Sequence, residues 1–483
     1  VRTSSNTAAT PLVALKTLRR PVLDELLAVR TSQLLSECLT VLPAVQFEES
    51  RPDGRPSVVL DTSVRYQTFL GFGGSFTESS ADLLLQLGHT NQERVIDACF
   101  RSDVGLGYRV GRVHINSCDF SRGNWDCCGM AGDIDLRHFS INRYRRSIFP
   151  LMHRAMAAAG EQLKFIASPW SPPAWMKDND SMTGGGRLKW ECRQAWARHY
   201  VRFAREMDAA GLPLWALTVQ NEPMASVVWE SCLYSAEEER DFVRDYLGPS
   251  LEVSGLDVKL LVWDHNRDEM LARAKVIYSD PEAARHVWGM AFHWYGDPRF
   301  ERWPDRAGQL CFENVARVHE LRPEKHLVMT EGCQEGGAHP GDWRLGERYA
   351  ENIIKDLGHW TEAWVDWNIL LDTSGGPNHT RNFCSAPLLA DVKADKVYVQ
   401  PSFYFIGHFS RYILPGAKRI LCGASRDSLE AIAFLNSDST VAVVVLNQSE
   451  KSVDFCLEHA GKAAKVSAPE HSISTFVFLC RGA

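Results

Sequence analysis

Two glutamates end apolar, strand-like runs in this 483-residue chain. The run Leu214-Trp-Ala-Leu-Thr-Val-Gln-Asn-Glu-Pro leads to Asn221 and Glu222, and Pro223 cannot continue a strand because it has no backbone N–H. The run His326-Leu-Val-Met-Thr-Glu-Gly leads to Glu331. A carboxylate that closes a buried strand points into the cleft that the strand ends share. Either glutamate alone reads more simply as a cap for the following helix. The pair reverses that reading, because two opposed carboxylates are what cleavage of a glycosidic bond needs: one protonates the leaving oxygen and the other attacks or stabilises the oxocarbenium-like centre.

Other side chains suited to holding a sugar fall at similar positions. Ser168-Pro-Trp170 and Trp175, His293-Trp-Tyr295, Trp364-Val-Asp-Trp367-Asn368, and Arg112 followed by Asp119 all stand at or just after strand-like runs. Aromatic faces stack on the C–H face of a pyranose, while Asp and Asn bind its hydroxyls. The chain carries 15 Trp, and Trp170, Trp175, Trp229, Trp294, Trp364 and Trp367 are expected at the active face. Trp196, Trp215 and Trp288 fall in helix or strand interiors and are expected in the core.

The elements that must position these groups alternate. Strand-like runs at 69–76, 108–116, 163–168, 214–220, 259–263, 287–294, 326–330 and 363–370 are separated by amphipathic stretches, among them 144–159, 192–210, 236–252 and 268–278. Eight β-then-α units predict a parallel (β/α)₈ barrel, whose active face is the C-terminal end of its strands. From about Phe405 onward short strands replace the helical period, at 429–435, 441–446, 453–457 and 473–479. They predict an antiparallel β-sandwich, to which the strand-like 40–47 and 58–60 near the N-terminus add strands. The expected division is 1–61 for the N-terminal sandwich segment, 62–400 for the barrel and 401–483 for the C-terminal sandwich.

Composition narrows the partners. With 53 Lys+Arg against 60 Asp+Glu the net charge is −7, which argues against nucleic acid or another polyanion and favours a neutral substrate. No apolar run reaches the roughly 20 residues of a membrane span, so no integral membrane segment is expected. Val1 to Thr10 lacks a signal-peptide pattern, and the Asn179, Asn378 and Asn447 sequons do not fix a compartment. Secreted, periplasmic and cytoplasmic residence all fit. The 13 cysteines lack metal-site spacing and read as thiols; no metal or other cofactor is expected. Arg143, Arg145 and Arg146 read as a solvated helix face.

Several segments in register resemble glycoside hydrolase family 30, in its branch of glucosylceramidases and β-1,6-glucanases. They are Gly71-Phe-Gly-Gly-Ser-Phe-Thr-Glu78, Arg112 through Ser117-Cys-Asp119, Ala167-Ser-Pro-Trp170, Gln220-Asn221-Glu222-Pro, Phe292-His293-Trp-Tyr295, Thr330-Glu331, Asp366-Trp367-Asn368 and Arg381-Asn382-Phe. The resemblance implies a barrel with an attached β-sandwich and a metal-free retaining mechanism. It implies Glu222 as acid/base and Glu331 as nucleophile, with Arg112 and Tyr295 supporting Glu331. Asp119, Trp170, Asn221, His293, Tyr295, Trp367 and Asn382 are implied as sugar contacts. On this reading Arg112 and Tyr295 keep Glu331 ionised, and its charge keeps Glu222 protonated. Glu78, His379, the 262–267 segment and the 224–234 loop depart from the glucosylceramidase pattern and are expected on the leaving-group side. They are more similar to β-1,6-glucan hydrolases, with glucosylceramidase the alternative and β-xylosidase, fucosidase or a silent carbohydrate-binding barrel less favoured.

Overall fold

The computed structural model describes residues 10–12, 14–51, 54–301 and 310–480. Eight parallel strands close a barrel: Gly71–Ser75, Val110–Ile115, Lys164–Pro169, Leu214–Thr218, Lys259–Asn266, Gly289–His293, His326–Glu331 and Ala363–Asn368. They are called barrel strands one to eight below. The interior is filled by small and β-branched side chains, Val110, Ile166, Ala216, Leu261, Ala291, Val328, Ala363 and Val365. Leu70, Trp215 and Trp288 pack against this layer at the N-terminal ends of the strands, which closes that end and leaves the C-terminal mouth for chemistry. Strand one has no room for side chains on its inner edge: a Cβ on Gly73 would stand 1.9 Å from the Val110 carbonyl oxygen. That close approach is why the run Gly71-Phe-Gly-Gly is glycine-rich.

The helices cover the barrel as their apolar spacing requires. Arg193–Ala209 buries Trp196, Tyr200, Phe203, Ala204 and Met207 on one face. Ser235 caps Ala236–Phe242 in a reciprocal capping box with Glu238. The single helix expected over 236–252 instead contains a wide turn at Val243–Leu247 before a second helix, Gly248–Ser254. Pro249 lacks the N–H that a regular helix would use there.

The second domain is one continuous, mostly antiparallel sheet that includes Glu25–Ser32, Glu37–Val41, Ser57–Thr68, Lys418–Ala424, Glu430–Leu435, Thr440–Asn447, Val453–His459, Lys462–Ala468 and Ser472–Leu479. It folds over a single core to which Leu26, Leu60, Ile420, Val443, Phe455, Leu457 and Phe476 contribute, so strands from both chain ends build one sandwich. The strand expected at 40–47 is broken into Glu37–Val41, Val45–Gln46 and Glu48–Glu49 around Pro43. The expected loss of helical structure from Phe405 needs correction, because a helix spans Pro401–Ser410. Every residue from Ser402 to Ser410 is buried, so that helix has no polar face to give a period. His408 ties it to the sandwich through Thr475 Oγ1 at 2.9 Å and Thr31 Oγ1 at 2.8 Å.

A small sheet of Leu371–Asp372, Leu388–Asp391, Lys396–Val399 and Thr10–Pro11 follows strand eight and carries the loop holding Asn378, Asn382 and Cys384 to the barrel mouth. No helix among the described residues is long and apolar enough to cross a membrane.

Candidate active site

The barrel mouth opens into a cavity of about 380 Å³ whose wall includes Asp119, Trp170, Asn221, Glu222, Glu331 and Trp367. Glu331 is the last residue of strand seven. Glu222 lies beyond strand four, in a left-handed conformation (φ 48°), with its N–H donating to the Asp264 carbonyl at 3.0 Å and its carbonyl accepting from Ala225 at 2.9 Å. That tight turn brings its side chain back over the mouth. One oxygen of each carboxylate and a ring nitrogen of His293 all lie within 4.8 Å of one another.

Arg112, fully buried on strand two, donates to four groups on four other strands or the turns after them. They are Glu331 Oε2, Ser168 Oγ at 3.0 Å, Asn221 Oδ1 at 2.8 Å and Asp264 Oδ2 at 2.9 Å. Tyr295 Oη donates to the other oxygen of Glu331 at 2.9 Å. The guanidinium also lies 4.7 Å from the Trp170 ring, and Trp170 and Trp367 stack at 5.2 Å. Asp119 accepts from Asn378 Nδ2 at 3.0 Å and Asn382 Nδ2 at 3.4 Å. Burial, followed by the charges of Glu331 and Glu230, holds Asp119 well above the usual carboxylate range.

His293 departs from its expected place. It is fully buried behind Glu222 and is not part of the cavity wall. Its Nδ1 is 3.2 Å from Glu222 Oε1 and its Nε2 is 3.0 Å from Asp264 Oδ1. Burial opposes charge on this ring, but the charge of Glu331 and the hydrogen bonds of Asp264 and Glu222 outweigh it and raise its pKa to about 9. A protonated imidazole has no lone pair for an ion, although Glu222, His293 and Glu331 are the one grouping among the described residues with convergent ligand atoms.

The surroundings of the two glutamates push them in different directions. Burial raises Glu222, but the His293 hydrogen bond and the positive charge around it bring it below the usual range. Burial and the charge of Glu222 together outweigh His293 and Arg112 at Glu331, so it sits above that range. Glu222, His293 and Glu331 therefore titrate as one set rather than singly.

Asp264, at the end of strand five, was missed by sequence reasoning. It accepts from Thr218 Oγ1 and Thr330 Oγ1, both at 2.6 Å, besides Arg112 and His293. The acidic residue inside the apolar run Leu260-Leu-Val-Trp-Asp264 was the available signal.

Among the tryptophans, Trp170, Trp229, Trp263 and Trp367 line the cavity. Trp294 and Trp364, expected at the active face, are instead fully buried against Tyr349 of the helix outside the barrel. Neighbouring residues on a strand face opposite sides, so Trp364 points outward where Val365 points in. Trp175 also lies outside the wall and donates to the Cys128 carbonyl at 2.9 Å. Of the departures noted in the sequence, Trp263, His265, Asn266 and the stretch from Met224 to Val227 line the cavity, whereas Glu78 and His379 do not. Glu78 is buried between Arg143, Trp125 and the Arg122 N–H, so Arg143 is an ion-pair partner and not part of a solvated face.

Residues 69–413 match the model of the glycosyl hydrolase family 30 TIM-barrel domain and residues 416–476 that of the family's β-sandwich domain. The chain belongs to glycoside hydrolase family 30. It is 34% identical to the lysosomal acid glucosylceramidase of Mus musculus over 87% of this chain and 83% of that protein. Its fold superimposes on the crystal structure of SrfJ from Salmonella typhimurium with TM-score 0.88 and 31% identity, covering 95% of this chain and all of that one. It also superimposes on the endo-β1,6-glucanase BT3312 with TM-score 0.85 and 27% identity, covering 94% and 99%. The chain is accordingly a retaining glycoside hydrolase in its family chemistry.

Proposed function

We propose that Glu331 is the nucleophile and Glu222 the acid/base of a β-glucoside hydrolase acting on β-1,6-linked glucan. The observation that carries the chemistry is the approach of the two carboxylates to within 4.8 Å. A retaining pair stands about 5–5.5 Å apart, whereas an inverting pair leaves about 6.5–9.5 Å for a water. Glu331, aligned by Arg112 and Tyr295, attacks the anomeric carbon while Glu222 protonates the departing oxygen. Glu222 then takes a proton from water as that water releases the sugar from Glu331. The acid's proton comes from the Glu222–His293 pair: the imidazolium–carboxylate form and the neutral form differ by one short transfer. A sugar that expels water favours the neutral form, with Glu222 as the acid. Asn221 suits the 2-hydroxyl; Asp119, Asn382 and the Trp170–Trp367 stack suit the rest of a neutral ring.

The leaving-group side supports a glucan. Trp229 and Trp263 offer flat faces there, and His265, Asn266, Asp268 and Glu269 offer hydroxyl partners. Such a polar wall suits a second sugar better than a lipid tail. Identity to the mouse glucosylceramidase supports the second reading, a glucosyl lipid as substrate. Product analysis on β-1,6-glucan beside detergent-dispersed glucosylceramide separates them. Release of glucose or gluco-oligosaccharides from the glucan, at a rate above that on the lipid, is expected. The opposite order would replace the glucan reading with the lipid one.

A further inference from the structure

Two cysteines share the cavity wall with the catalytic carboxylates. Cys333 follows Glu331 by two positions, and Cys384 sits on the loop after strand eight. Both side chains sit in one buried cluster and shift one another's titration, and the Cys384 thiol donates to the Asn382 carbonyl at 3.6 Å. The backbone holds them together: Glu335 and Cys384 form an antiparallel bridge, and the Ser385 N–H donates to the Gln334 carbonyl at 2.7 Å. No other cysteine lines this cavity. Cys333 Sγ is also 3.4 Å from Tyr295 Oη, the hydroxyl that donates to Glu331. The hydrolytic mechanism uses neither thiol.

We propose that Cys333 and Cys384 form an oxidisable dithiol site that closes to a disulfide under a peroxide and thereby shuts the hydrolytic site. Cys333 is the sulfur oxidised first, because its Cys384 neighbour favours its thiolate. Its sulfur attacks one peroxide oxygen, breaking the O–O bond and giving a sulfenic acid and water. The Cys384 sulfur then attacks the sulfenic sulfur and displaces the hydroxyl as a second water, with the two thiol protons taken up in those waters. The pair loses two electrons and one peroxide is reduced. Closure draws the two sulfurs to bonding distance and takes the Cys333 thiol away from Tyr295, so the Tyr295–Glu331 alignment is lost. Burial raises Cys333, and the Cys333 side chain followed by burial raises Cys384, so the first step quickens as pH rises, while the second is fast because the partner shares the same buried cluster.

The loss of activity rests on the proposed catalytic roles; the cross-link does not. Purified full-length protein is treated with hydrogen peroxide at pH 7 and pH 9. Remaining thiols are alkylated and peptides mapped by mass spectrometry, with hydrolysis of an aryl β-glucoside read in parallel. A Cys333–Cys384 cross-linked peptide is expected, forming faster at pH 9, with a roughly tenfold or greater fall in hydrolysis that dithiothreitol restores. A sugar ligand in the cavity should slow both. Cys384→Val should show no cross-link, and Cys38→Ser, which removes an exposed thiol, should behave as wild type. The proposal is overturned if Cys333 and Cys384 remain alkylatable while Cys38 oxidises, or if the cross-link forms with hydrolysis unchanged. Protein that hydrolyses no glucoside even when reduced would overturn the catalytic roles instead, and the peptide map would still decide the dithiol.

Discussion

His293 bridges two carboxylates, 3.2 Å from Glu222 on one ring nitrogen and 3.0 Å from Asp264 on the other. This relationship places a positive charge against the proposed acid and makes the proton on that acid a shared one.

The first consequence is a pH dependence of stability. The pKa of His293 is raised from 6.5 to about 9 in the folded protein, so the fold binds this proton more tightly than the unfolded chain does. The stabilisation is complete below pH 6.5 and is lost as pH rises from there to about 9. The free energy of unfolding from urea titrations should fall across that window by an amount on the order of 3 kcal/mol at most. A His293→Gln variant should show a flatter profile, and an equally steep one would place the titration elsewhere.

The two glutamates should separate by leaving group. Glu331→Ala should remove turnover on every glucoside. Glu222→Ala should lose roughly 10²–10⁴-fold on substrates with poor leaving groups and little in glycosylation of an aryl glucoside whose phenolate needs no proton. Pre-steady-state rates on a series of aryl glucosides check this; equal losses across the series would reverse or dissolve the assignment.

Asp264 should matter to both stability and chemistry. Asp264→Ala leaves Arg112 and His293 buried without their shared anion, at a cost of about 3–5 kcal/mol in urea unfolding. Asp264→Asn keeps the shape but not the charge, so the upper limb of the kcat/KM profile should move to lower pH. An unmoved limb would show that Asp264 only packs.

The leaving-group wall should discriminate substrates. Trp229→Ala removes a stacking face of about 0.5–1.5 kcal/mol. It should raise KM for β-1,6-gluco-oligosaccharides roughly two- to tenfold relative to aryl glucosides. Parallel increases for both would put Trp229 outside the second sugar's path.

Much of this protein was readable as sequence because alternation is a local property. Eight apolar runs separated by amphipathic stretches gave the barrel, and each of its eight strands overlaps one of those runs, three of them extending past its end. Glu222 and Glu331 stood out because a polar residue at the end of an apolar run is a local anomaly. The helix Pro401–Ser410 and the strand Glu25–Ser32 were obscured for the opposite reason: they are buried almost all round, so no polar face marks their period. Sidedness also misled, since Trp364 and Trp367 sit three residues apart yet one packs outside the barrel and the other at its mouth.

Only the tertiary structure decided how charge is distributed. Arg112, Asp264, His293 and the two glutamates come from five different barrel strands or the turns after them, and their spacing along the chain carries no trace of their contact. A proton's position depends on distances of a few ångströms in a buried site, where each neighbour counts more than it would in water. Sequence singled out the two glutamates proposed for the chemistry. Convergence of the strands placed His293 against Glu222, and a thiol beside the tyrosine that aligns Glu331.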